Sequence, residues 1–201
     1  MLSTSVSNVN LFKTWSEEEG LGVDWLIDRI LVRTETPAMK AGTAFHAAVE
    51  NAGDTEHFVL KAMGYTFEIL CDMEIALPRL REVSISQEYD GLLVRGRVDG
   101  IDGKIVMDLK TTEQFDAERY VDGLAWRYYL DICGADRFDW HVFQVRHVTS
   151  NDPEQPKLVE VYNYHLLKQY RYAGLHEDCL DWARRYRAFA EKFLPVSANA
   201  A

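Results

Sequence analysis

Residues 92–112, LLVRGRVDGIDGKIVMDLKTT, constrain the chain more than any other stretch, because they read as a β-hairpin whose polar face carries acids and bases at fixed spacing. Asp102-Gly103 is the dipeptide favoured in a two-residue hairpin turn, and apolar and polar residues alternate on both sides of it. If Ile101 pairs with Lys104 across that turn, Asp99 lies opposite Val106, Arg97 opposite Asp108 and Arg95 opposite Lys110. Side chains alternate across a strand, so Arg95, Arg97, Asp99, Asp108 and Lys110 then share one face. Val94, Val98, Ile105, Met107 and Leu109 take the other.

The plain reading of such a pattern is a half-buried hairpin with its charges in water. Against it, Asp108 and Lys110 sit two apart on one strand with Asp99 diagonal to Asp108, so two acids and an ammonium converge. Diagonal Cβ atoms in an antiparallel pair lie about 7 Å apart, a gap that a divalent cation can bridge through one oxygen from each carboxylate. A few hard oxygen donors suit Mg²⁺, which keeps several waters and takes the rest from a phosphate.

The remaining chain alternates helical and strand patterns. Residues 1–36 form an N-terminal helical part, in which Leu11, Trp15, Trp25, Leu26 and Ile30 recur at helical spacing and Gly20 and Gly22 divide two helices. Pro37 opens a third helix through AMKAGTAFHAAVENAG, stopping at Gly53. From His57 to Thr111 short β-rich runs follow one another, and Asp116 to Cys133 returns to helix, closed by Gly134. Asp139 to Tyr164 reads as two strands joined by TSNDPEQPK. Residues 165–194 read as a long amphipathic C-terminal helix.

The fold class is therefore α/β of the α+β type, a central mixed, largely antiparallel sheet flanked by helices. A chain of 201 residues with 47% hydrophobic content closes one core, so residues 1–201 are taken as a single domain. No apolar run approaches the roughly 20 residues that span a bilayer, and the first residues lack a secretory pattern, which points to the cytoplasm and away from a membrane. Cys71, Cys133 and Cys179 are too far apart for a CxxC metal or iron–sulfur site. A net charge of −10 argues against coating nucleic acid by bulk electrostatics, although carboxylates are what a metal cleft requires. A G-x-S-x-G elbow and a phosphate-binding G-x-x-x-x-G-K-[ST] loop are both missing, which excludes an α/β-hydrolase triad and an intrinsic ATPase.

GRVDGIDGKIVMDLKTT resembles the D-x(n)-[D/E]-x-K signature of PD-(D/E)XK nucleases, particularly the RecB-like and lambda-exonuclease-like branches, with Asp99, Asp108 and Lys110 at the three signature positions. Upstream, GTAFHAAVE resembles the G-x-x-x-H helix of RecB-like nucleases, which makes His46 a metal ligand by analogy. Downstream, AERYVDGLAWRYYLDICG resembles their Q-x-x-x-Y helix, with Tyr129 at the tyrosine and Gly134 at the closing glycine. Ala125 stands where the glutamine belongs, a mark of divergence.

The resemblance implies a restriction-endonuclease-like core and a Mg²⁺-dependent deoxyribonuclease, with Mn²⁺ able to substitute. Asp99, Asp108 and Lys110 would be catalytic, and His46, Asp99, Asp108 and the Leu109 carbonyl would hold metal. Glu88 would supply a further acid from the neighbouring strand. Arg95, Arg97, Arg119, Arg127 and Tyr129 are the DNA-binding candidates. It further implies an exonuclease with little sequence preference, acting on duplex DNA with free ends in a bacterial or phage-infected cell. A homo-oligomer, a recombination or single-strand-binding protein as partner, and a setting in phage recombination or DNA repair belong to the same analogy. An endonuclease or flap nuclease on the same site, or a module of this fold that binds without cutting, are the alternatives.

Overall fold

The computed structural model describes residues 2–32, 34–52, 58–72, 78–148 and 157–195. In chain order they form β1 (Leu2–Ser5), α1 (Val6–Glu17), α2 (Val23–Leu31), α3 (Pro37–Ala52), β2 (Val59–Ala62), β3 (Tyr65–Ile69), β4 (Leu80–Tyr89), β5 (Leu92–Asp102), β6 (Ile105–Thr112), α4 (Ala117–Asp122), α5 (Ala125–Cys133), β7 (Arg137–Val148), β8 (Lys157–Tyr170) and α6 (Leu175–Phe193). The eight strands make one sheet in the order β1-β5-β6-β7-β8-β3-β2, with β4 also paired to β5. Parallel ladders join β1 to β5, β6 to β7 and β3 to β8, and the others are antiparallel. The class expected from the sequence, a mixed sheet flanked by helices, is the class observed.

Strand β7 shows why helices cover both faces. Phe138, Trp140 and Val142 enter one apolar cluster, with Phe12 of α1, Leu26 of α2, Leu130 of α5 and Tyr186 of α6. Phe143 and Val145, which follow them, enter a second cluster, with Phe45 and Val49 of α3 and Phe67 of β3. A strand buried on both sides carries apolar residues on both faces, and in RFDWHVFQV the switch of face falls at the adjacent Val142 and Phe143.

Strand β5 divides its far edge between two partners. Its start pairs with β1, from Leu2↔Leu92 to Ser5↔Arg95. Its end pairs with β6 at Gly100↔Met107, Ile101↔Val106 and Asp102↔Ile105 alone. On its other side β6 pairs with β7 along its whole length, from Ile105↔Arg137 to Thr112↔Gln144, and beyond Met107 that is its one partner strand among the described residues. The two hairpin strands thus part after three pairs and leave a fork in the sheet.

This register corrects the sequence expectation by one residue on each strand. The two-residue turn is Gly103-Lys104, with Gly103 at φ +59°. Lys104 is held by tertiary contacts: its carbonyl accepts the Asp136 and Arg137 amides, at 2.9 and 3.2 Å. Its ammonium donates to the Gly134 carbonyl at 2.7 Å. Those bonds outweigh the local preference of Asp102-Gly103.

The single apolar face expected for the hairpin is also corrected. Val94, Val98 and Val106 join the first cluster, whereas Leu109 joins the second. Ile101 packs against the same cluster as Val98, three residues before it, so the two-residue alternation breaks between them. The break lies beside Glu82 of β4, which has φ +50° between the pairs Arg81↔Gly100 and Val83↔Val98.

Other boundaries moved as well. Strand β1 was not foreseen, and Ser5 caps α1 by accepting the Asn8 amide at 3.1 Å. The helix expected over Asp116–Cys133 is two helices, separated where Asn10 Oδ1 accepts the Leu124 amide at 2.6 Å. Strand β8 continues to Tyr170 because Leu166 and Leu167 pair with His141 and Trp140, so α6 starts later than the expected residue 165. The stop at Gly53, the strand start at His57 and most of the TSNDPEQPK loop lie outside the described residues. Among the described residues, no helix is long and apolar enough to cross a membrane.

Gly100 tests the close packing at the base of the fork. A Cβ there would meet Pro78 Cγ at 2.1 Å and Met107 Cγ at 2.9 Å. Gly100→Ala is expected to cost about 1–3 kcal/mol. Gly103→Ala, whose Cβ meets nothing but whose φ is left-handed, should cost about 1 kcal/mol. Thermal melts check the order; equal or reversed losses contradict it.

Candidate functional site

The fork places Asp99 one residue beyond the last β5–β6 pair, at the level of Asp108 on the parting strand. Asp99 Oδ2 accepts the Leu109 amide at 2.6 Å, so a side chain completes the ladder where the strands separate. Its Oδ1 lies 3.5 Å from His46 Nδ1. Burial pushes the Asp99 carboxyl up, but the His46 hydrogen bond and charge, Lys110 and the Leu109 amide together hold it below the ordinary carboxylate range.

Asp108 has a harder environment. It is buried, and its carboxyl is pushed up to about 6, first by desolvation and further by the Asp99 charge, despite its ion pair with Lys110. Lys110 keeps 43% of its side chain exposed, with Nζ 5.8 Å from the Trp140 ring and 3.4 Å from the Leu109 carbonyl oxygen. Burial would lower the lysine, and the Asp108 and Asp99 charges outweigh it and raise it.

Helix α3 brings His46 over the fork because Gly42, one turn earlier, permits close approach to β6. A Cβ at Gly42 would lie 3.3 Å from Thr111 Oγ1. Burial lowers the imidazole, and Asp99 more than reverses that, so His46 titrates above its ordinary value.

Glu82 completes the arrangement from β4. Single ligand atoms of His46, Glu82 and Asp99 lie within 4.8 Å of one another. The same three line a cavity of about 30 Å³ with Glu50, Arg81 and Leu109, room for one or two water-sized bodies. Arg97 Nε lies 2.8 Å from Glu82 Oε2. An imidazole with two carboxylates is a donor set for a divalent cation such as Mn²⁺ or Mg²⁺. Asp108 lies buried beside this set with Lys110 as its cationic partner, and an imidazole flanked by carboxylates fits an added cation.

The structure therefore gathers Asp99, Asp108, Lys110, His46 and the Leu109 backbone. Tyr129 is with them: its ring fills the fork, 2.7 Å from where a Gly96 Cβ would stand, and both acids act on its hydroxyl. Glu88 is not brought in. It is exposed opposite Leu93, six residues along β4 from Glu82, the acid that this strand does place at the fork.

The basic candidates separate. Arg97 reaches Glu82, whereas exposed Arg95 lies two residues further from the fork on β5, between Ser86 and Ser5. Arg119 is exposed on α4. Arg127 rests 5.3 Å from the Trp126 ring and acts on Tyr172 and Cys179, away from the acids. Sequence reasoning missed Glu82 and Tyr120, whose ring lies 5.4 Å from Trp140 and whose hydroxyl feels Lys110 and Asp108. The broken alternation at Val98 and Ile101 was the available signal for Glu82.

No protein-family model and no curated protein matches the sequence. Among solved structures, the chain is similar to a protein designated SSO0001, at TM-score 0.54 and 12% identity over 94% of this chain and 77% of that one. It is similar to a candidate exonuclease from Eubacterium rectale, at TM-score 0.50 and 11% identity over 94% and 79%. The alkaline exonuclease LHK-Exo from Laribacter hongkongensis gives TM-score 0.48 and 12% identity over 94% and 88%. At these identities the likeness is one of fold.

Asp108 generates a pH prediction. Its folded carboxyl titrates near 6, above its unfolded value, so its contribution to stability is complete below about pH 4 and lost as pH rises through 6. In EDTA, Asp108→Asn should therefore be more stable than wild type by about 1–3 kcal/mol at neutral pH, with the advantage shrinking towards pH 4. Melting curves across that range check it; a pH-independent difference contradicts the assignment.

Proposed function

We propose that this protein is a metal-dependent DNA nuclease of the PD-(D/E)XK type that hydrolyses phosphodiester bonds, acting as an exonuclease with little sequence preference. The observation that carries the reading is the convergence of Asp99, Asp108 and Lys110 at the sheet fork, with His46 and Glu82 beside them. Evolution-independent physics gives the same emphasis: a buried carboxylate held near pH 6 is costly and is retained where a cation or a reaction uses it.

Asp99, Asp108 and His46 would hold Mg²⁺ or Mn²⁺, with Glu82 and the Leu109 carbonyl as further donors. Bound there, the cation supplies Lewis-acid polarisation of the phosphate and a water of lowered pKa. The chain supplies the rest. Lys110, half exposed and pinned by Asp108, points its ammonium where a phosphate oxygen and an attacking water can both receive hydrogen bonds. Asp99, kept ionised, fixes the Leu109 amide and orients His46. Arg97 at the rim can receive a neighbouring phosphate once released from Glu82. A cytosolic setting, in which free DNA ends are processed, suits this activity.

The test is cleavage of an end-labelled linear duplex against a covalently closed circle, with Mg²⁺, Mn²⁺ or EDTA. Wild type is expected to degrade the linear substrate only, in a metal-dependent way, and Lys110→Ala to lose about 100- to 1000-fold in kcat. Undiminished cleavage by Lys110→Ala or Asp99→Ala, in preparations free of host nuclease, overturns the site; cutting of the circle assigns an endonuclease instead.

Glu82 gives a separate outcome. Glu82→Gln should weaken Mn²⁺ binding about 10-fold or more, measured by the free Mn²⁺ signal in electron paramagnetic resonance. Unchanged affinity removes Glu82 from the metal site.

A further inference from the structure

A row of aromatic rings leads from the buried acids to the surface. Trp140 lies under the Lys110 ammonium, 5.8 Å away, and Tyr120 meets Trp140 edge-on at 5.4 Å. Phe115 stacks beside Tyr120 at 6.1 Å, and His165 lies flat on Phe115 at 3.6 Å with an interplanar angle of 2°. Phe115, on the connection after β6, and His165, on β8, are both partly exposed. Among the described residues no further ring stacks on His165.

The outer ring is held in place. His165 Nε2 donates to Gln144 Oε1 at 3.0 Å, and Asn163 Nδ2 donates to the same oxygen at 3.2 Å. The next part of the rim is also aromatic and basic: Tyr162 is 40% exposed, donates to the Glu113 carbonyl at 3.3 Å, and carries Arg146 at 6.0 Å over its ring. A ring fixed in orientation, backed by a second ring and open on its outer side offers a flat π surface.

We propose that His165, backed by Phe115, is a stacking platform for an unpaired nucleobase, so that the site takes a single-stranded nucleic-acid end in preference to closed duplex. Duplex DNA buries its base faces, whereas an unpaired base presents one and stacks on any aromatic ring with little sequence preference. The row then sets the phosphate following that base on the path towards Lys110. The proposal deepens the nuclease reading and rests on it for the chemistry, but the stacking itself needs no hydrolysis.

The experiment uses the whole chain and an oligonucleotide with 2-aminopurine at its single-stranded end, titrated in EDTA. Wild type should quench the 2-aminopurine on binding, His165→Ala should lose the quench and bind about 5- to 100-fold more weakly, and His165→Phe should restore both. With metal, KM for the single strand should rise in His165→Ala by a similar factor. The preference of wild type for a base-bearing over an abasic end should collapse towards unity in His165→Ala. A quench and a base preference that survive in His165→Ala overturn the platform while leaving the nuclease intact. Loss of cleavage on every substrate, with the quench and its His165 dependence retained, overturns the nuclease reading and supports the platform.

Discussion

The bond from the Leu109 amide to the Asp99 carboxylate is what lets the sheet open without leaving a donor unpaired. β5 and β6 begin as a hairpin and part after Gly100 and Met107. A backbone N–H stranded at that point would cost about as much as a lost hydrogen bond. Asp99 satisfies it at 2.6 Å, and in doing so its carboxylate is fixed in the mouth of the fork. His46 above it, Asp108 across from it and Tyr129 beneath the gap all take their positions from that opening. The same feature that solves a folding problem builds the site.

Electrostatics in the fork run against stability in part. Buried Asp108 and part-buried Asp99 face one half-exposed ammonium, and desolvation, with the Asp99 charge added, pushes Asp108 up to about 6. The surrounding structure tolerates this because the fork sits between two apolar clusters that anchor its walls independently: Val98, Val106 and Tyr129 in one, Leu109 and α3 in the other. A strained Glu82 on β4, at φ +50°, fits the same pattern of local cost concentrated around one cavity.

Much of this was legible in the residues. The class of fold, the helix carrying His46, and the nearness of Asp99, Asp108 and Lys110 followed from alternation, glycine placement and a two-residue strand spacing. The register did not, because Lys104 is fixed by the Gly134, Asp136 and Arg137 backbone, partners remote in sequence. Glu82 went unnoticed because nothing in the regular alternation of this strand marks the residue that takes a positive φ. The extension of β8 was read as helix because the Leu166-Leu167 pair fits either period, and only pairing with β7 decides between them. Arg127 looked like a cleft residue until α5 was seen to turn it towards Trp126 and Tyr172.

The most direct measurement is the anomalous scattering of Mn²⁺ in crystals of the wild-type protein. A peak is expected in the fork within coordinating reach of the Asp99 and Asp108 carboxylates and of His46, and no such peak in Asp99→Ala crystals grown the same way. Ordered Mn²⁺ elsewhere, with the fork empty at saturating metal, would contradict it.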